Sequence, residues 1–82
     1  MKDDVIRAVG NKLDELNVRI YDVFLEKEGK SEYLRVVLDA DFIIDIETVV
    51  KATKIIDPII DKMDITKGEY ILDVYAKSKG DE

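Results

Sequence analysis

Carboxylates are the side chains here whose type and spacing could do chemistry. Asp39 and Asp41 stand two apart, and Asp57, Asp61 and Asp64 recur at roughly helical spacing. Paired carboxylates serve glycoside or phosphoryl chemistry when a cleft brings them together and shifts a pKa. A thin domain offers little depth for such a cleft. The Asp39-Ala40-Asp41 stretch also lacks the run of oxygen ligands and the glycine of an EF-hand loop. These acids therefore read as solvated loop and helix charges. With no Cys and no His, the chain has no disulfide, no Cys/His zinc site, no thiol nucleophile and no Ser-His-Asp triad. Nor does it carry G-x-G-x-x-G, a P-loop or a GXXG clamp. The expectation is a protein that is not an enzyme and has no cofactor and no metal.

The elements must come from 82 residues, 46% of them apolar, which is enough for one core. A chain of this size buries roughly 60% of its unfolded surface, so two layers are its natural limit. Nineteen acidic residues against 13 basic ones give a net charge of -6. That balance argues against sequence-blind nucleic-acid binding and suits a basic protein partner, whose encounter it speeds. No apolar run approaches the ~20 residues of a membrane span, and Met1-Lys2-Asp3-Asp4 does not open a signal peptide. A soluble, cytoplasmic protein is expected.

Residues 3–16 read as a helix with Val5, Val9, Leu13 and Leu16 on one stripe and Ile6 beside them, Asp3 or Asp4 capping it. Gly10 within it reads as a close-packing position. Residues 18–26 and 32–39 read as the strands of a hairpin joined through Lys27-Glu28-Gly29-Lys30-Ser31. Asp45 reads as the cap of a second helix, with Ile44 and Val49 as a hydrophobic staple and Val49, Ala52, Ile56, Ile60 and Met63 as its buried stripe. Pro58 predicts a kink or break near Asp57, or a restart there. A turn through Thr66-Lys67-Gly68 leads to a last strand over 69–76, and residues 77–82 form a polar tail expected to be disordered.

The order α-β-β-α-β predicts an α+β two-layer sandwich, a three-stranded sheet with two helices on one face, as a single domain over 1–76. By strict alternation Tyr21, Val23, Leu25, Leu34, Val36, Leu38, Leu72 and Val74 face the helices. The opposite face then carries Ile20, Asp22, Phe24, Tyr33, Arg35, Val37, Ile71, Asp73 and Tyr75. Such an apolar patch around a few charges marks a docking surface about as often as it is ordinary strand chemistry. The candidate partner-binding residues are Asp22, Arg35 and Asp73, which would steer, and Phe24, Tyr33 and Tyr75, which would supply contact area. Reversal of Arg35 to Glu is expected to weaken binding and leave the thermal midpoint nearly unchanged. A generic interaction or self-associating module and an RNA-binding platform are the alternatives.

Residues 17–74 resemble the N-terminal domain of the ribosome maturation factor RimP family. Tyr21-Asp22-Val23, Glu28-Gly29 and Leu34-Arg35-Val36-Val37-Leu38-Asp39 match its D-V, E-G and L-R-V-x-I-D run. Ile44-Asp45 stands at its hydrophobic residue and Ser/Thr cap, and Thr53-Lys54 at a Ser-Arg pair. Gly68, Tyr70 and Leu72-Asp73-Val74 match its G-x-Y-x-L-E-V strand. Where the family continues into S-S-P-G and an Sm-like barrel domain, this sequence has Tyr75-Ala76-Lys77-Ser78, and Val49 replaces a Cys. The resemblance implies a non-catalytic factor for assembly of the small ribosomal subunit, and a monomer is expected. Its partner would be the subunit or its precursor, met through a basic ribosomal protein, with no membrane and no sequence-specific nucleic acid.

Overall fold

The structure, a computed structural model, describes residues 1–66 and 68–78. Its elements run α1 (Lys2–Val9), a short 3-10 turn (Asp14–Leu16), β1 (Arg19–Glu28), β2 (Ser31–Asp39), α2 (Ile46–Met63) and β3 (Ile71–Ala76). This is the expected α-β-β-α-β order. The sheet has the order β1-β2-β3, with β1 antiparallel and β3 parallel to β2. The parallel pairing requires a crossover, and α2 supplies it.

The core lies between the sheet and the two helices. Val5 and Val9 from α1, Leu34, Val36 and Leu38 from β2, and Ala52, Ile56 and Ile60 from α2 are all buried in it. Their spacing in each element follows the element's own period, four on the helices and two on the strand.

The first helix is shorter than its apolar stripe. It stops at Gly10, whose φ of 56° and ψ of -128° are open only to glycine. A Cβ there would meet nothing closer than the Arg7 carbonyl oxygen at 3.8 Å. Gly10 is thus a helix terminator and not a close-packing position. Leu13 still reaches the core from the turns that follow, which bond Lys12 to Val9 and Asp14 to Asn11.

The hairpin loop is also tighter than the sequence reading. Glu28 pairs with Ser31, leaving Gly29 and Lys30 as a two-residue turn with Gly29 at φ 61°. Glycine in the first central position suits such a turn, whose twist matches the strands.

The second helix does not break at Pro58. It runs unbroken from Ile46 to Met63. A mid-helix proline costs ~3 kcal/mol. Buried Ile56 on one side of it and Ile60 on the other, each worth ~2 kcal/mol on burial, hold both halves to the sheet. Asp45 caps the helix as expected, its Oδ1 accepting the Thr48 N–H at 2.8 Å.

At the far end, the Lys77 N–H donates to the Leu38 carbonyl at 2.7 Å, continuing the β2–β3 ladder one residue past the expected end of the domain. Lys67 of the expected turn and residues 79–82 of the expected tail lie outside the described residues.

Candidate functional site: the open face of the sheet

The face away from the helices is built by register. Phe24, Arg35 and Asp73 form one row across β1, β2 and β3; Asp22, Val37 and Tyr75 form the next; Glu26, Tyr33 and Ile71 flank them. All six candidate residues therefore share one face.

Ile20 does not belong to it. The pairing of β1 with β2 slips by one residue between Ile20 and Asp22, so Ile20 lies opposite Leu38 and packs against the core. The bulge leaves Tyr21 unpaired and 50% exposed, with Lys77 Nζ 5.0 Å from its ring centre. Strict alternation assigns Tyr21 to the core and Ile20 to the open face; one extra residue in a strand reverses both. The sequence does carry the signal. The apolar positions on the helix side of β1, counted from Val18 just before it, step 18, 20, 23, 25, with Leu25 already 40% exposed toward the strand's far end, and the single step of three marks the bulge.

Arg35 is the hub of the face, and its surroundings differ from a steering cation's. Its Nε donates to Glu26 Oε1 at 2.6 Å, its Nη2 lies 3.1 Å from Glu28 Oε2, and its Nη1 donates to Asp73 Oδ2. The guanidinium also lies over the Tyr33 ring, 4.6 Å from its centre, a favourable cation–π geometry. Only 16% of the side chain meets solvent. The bond to Glu26 above all, with Asp73 and Glu28 adding to it against desolvation, pushes its pKa further up. One cation shared by three carboxylates leaves a surplus of negative charge. Glu26 and Glu28 alternate with Phe24 along β1 and are thus part of the face, although neither is among the candidate partner-binding residues.

Asp22 is partly occupied too: its Oδ1 accepts the Val23 N–H at 2.9 Å just after the bulge. Phe24, Tyr33 and Asp73 are half-buried and Val37 is buried, while Tyr75 and Ile71 are the apolar side chains most open to solvent in these rows.

Two further groups of described carboxylates stand outside the Arg35 cluster. Asp39 and Asp41 share Arg19, at 3.0 Å and 3.3 Å. Asp57, Asp61 and Asp64 line a shallow groove of about 450 Å³ with Glu69 and Tyr70. Burial first, then the charges of Asp61 and Asp57, push the Tyr70 phenol up. Among the described residues no group of acidic side chains is placed to hold a metal ion, and no helix is long and apolar enough to cross a membrane.

The fold is a small α+β sandwich with one sheet face covered by helices and the other uncovered, the latter acidic and studded with aromatics. The RimP N-terminal domain family matches residues 8–77, nearly the whole of it. The chain belongs to the RimP family, whose members are ribosome maturation factors and not an enzyme class. Its role lies in ribosome maturation, with a ribosomal partner in general terms.

Proposed function

We propose that this domain acts, without catalysing a reaction, in cytoplasmic assembly of the small (30S) ribosomal subunit. It docks as a monomer on a basic ribosomal protein of the subunit or its precursor through the open sheet face. The observation that carries this reading is the clasp of Arg35 by Glu26, Glu28 and Asp73. It turns the Arg35 guanidinium in the middle of the face into part of an acidic surface, on a chain already at -6. Acidic complementarity of this kind selects and steers a basic partner. Phe24, Tyr33 and Tyr75 supply aromatic contact area, the residue type enriched at the centre of interfaces. Asp22 and Asp73 contribute charge, and Arg35 holds the carboxylates in place instead of meeting the partner directly.

The test is binding of purified small subunits by Tyr75→Ala and Phe24→Ala variants whose thermal midpoints have been checked. Binding weakened by about tenfold in each, a loss of ~1.4 kcal/mol, supports the face as the docking surface. Wild-type affinity in both variants would move the docking site elsewhere.

A further inference from the structure

The most exposed large apolar side chains of this domain are not on the open sheet face. Ile43 is 85% exposed and Ile46 77%, with Val50 and Phe42 also open to solvent. All four fall in residues 42–50, where the chain leaves the end of β2 and enters α2. Ile46 and Val50 stand one turn apart and so share a helix face. Ile43 precedes Ile46 by three residues, within ~10 Å of chain.

The backbone under this corner is fixed. Ala40 is buried, Ile44 packs against the core, and Asp45 caps the helix that follows. Single exposed apolar residues are ordinary, but a group at one anchored corner marks a contact surface.

The rim of the corner identifies the occupant. Asp41 has a side chain 94% exposed, Glu47 one 77% exposed, and Asp45 is exposed as well. Arg19 bridges Asp41 and Asp39, and Lys51 meets Glu47, while the exposed Asp41, Asp45 and Glu47 carboxylates keep the rim acidic. An apolar centre with an acidic rim fits a basic segment that brings its own apolar side chains. A second copy would bring a second acidic rim against the first, and RNA would bring phosphates against it.

We propose that the Phe42–Val50 corner is a second docking surface of this domain, taking a basic, apolar-bearing protein segment independently of the open sheet face.

The test titrates the isotope-labelled chain with a short amphipathic helical peptide of leucine and lysine, and separately with its leucine–glutamate counterpart. The lysine peptide is expected to shift the amide resonances of residues 41–51 at low salt, and the glutamate peptide to leave them in place. An Ile43→Ser/Ile46→Ser variant, altered only at exposed positions, should keep the wild-type melting midpoint and bind about tenfold more weakly. Ile46→Lys alone should weaken binding in the same direction. Shifts confined to the sheet face, an equal response to both peptides, wild-type affinity in the variants, or dimers forming through this corner would each overturn the proposal. No ribosome is present, so failure here leaves small-subunit binding by the sheet face unaffected, and the converse also holds.

Discussion

Arg35 and Asp73 face each other in register across the parallel strands β2 and β3, and the guanidinium donates to the carboxylate between them. That pair fastens the last strand to the middle one on the uncovered side of the sheet. Glu26 and Glu28 fasten the same guanidinium to β1. One side chain therefore ties all three strands together where no helix packs on them.

Reversing Arg35 to Glu follows directly from that arrangement. It would place four carboxylates together with no cation among them, and like charges across neighbouring strands are destabilising. The expected outcome is a clear fall in thermal midpoint at low salt, partly recovered in molar salt where such repulsion is screened. Melting curves at the two salt levels check it. An unchanged midpoint, the outcome read from the sequence alone, would mean that the clasp contributes nothing to the fold.

Pro58 gives a prediction of opposite sign. Its ring cannot donate a helical hydrogen bond, at a cost of ~3 kcal/mol in a helix interior, yet it restricts the unfolded chain by ~1 kcal/mol. Pro58→Ala should raise stability by ~2 kcal/mol, seen as a higher midpoint in urea. A destabilised variant would show that the ring makes a packing contact that matters more than the missing bond.

Asp45 links helix α2 to pH. Hydrogen bonding from the Thr48 N–H, first among its causes, holds the Asp45 carboxyl below its ordinary value. A depressed folded-state pKa means that the contribution is complete above the ordinary value and is lost as pH falls through the lowered one. Asp45→Ala should melt earlier than wild type at neutral pH, and the difference should close in acid. Midpoints measured from neutral pH downward test this, and a gap that persists in strong acid would contradict it.

Much of this molecule is legible in its sequence because most of its elements obey their own period. The stripe of Ala52, Ile56 and Ile60, the alternation of Leu34, Val36 and Leu38, and the Asp45 cap each state locally what the fold does globally. The exceptions are places where tertiary packing overrides local preference. Pro58 is carried by the burial of Ile56 and Ile60, and α1 ends at a Gly10 conformation that no stripe of apolar residues reveals. At the site, alternation brought Asp22, Phe24, Tyr33, Arg35, Asp73 and Tyr75 to one face. It failed at Tyr21 because a bulge shifts register without changing composition. The role of Arg35 was hidden for another reason: its carboxylate partners lie on two other strands, and their convergence depends on strand order.

Binding of the small ribosomal subunit through protein contacts is the proposed role of this domain. Co-sedimentation with small subunits, large subunits and naked ribosomal RNA, at low and moderate salt, tests it most directly. Selective retention by small subunits that survives moderate salt is the expected result, since apolar and aromatic contacts are insensitive to counterion release. Equal binding to all three targets, or binding to naked RNA that collapses as salt rises, would contradict it.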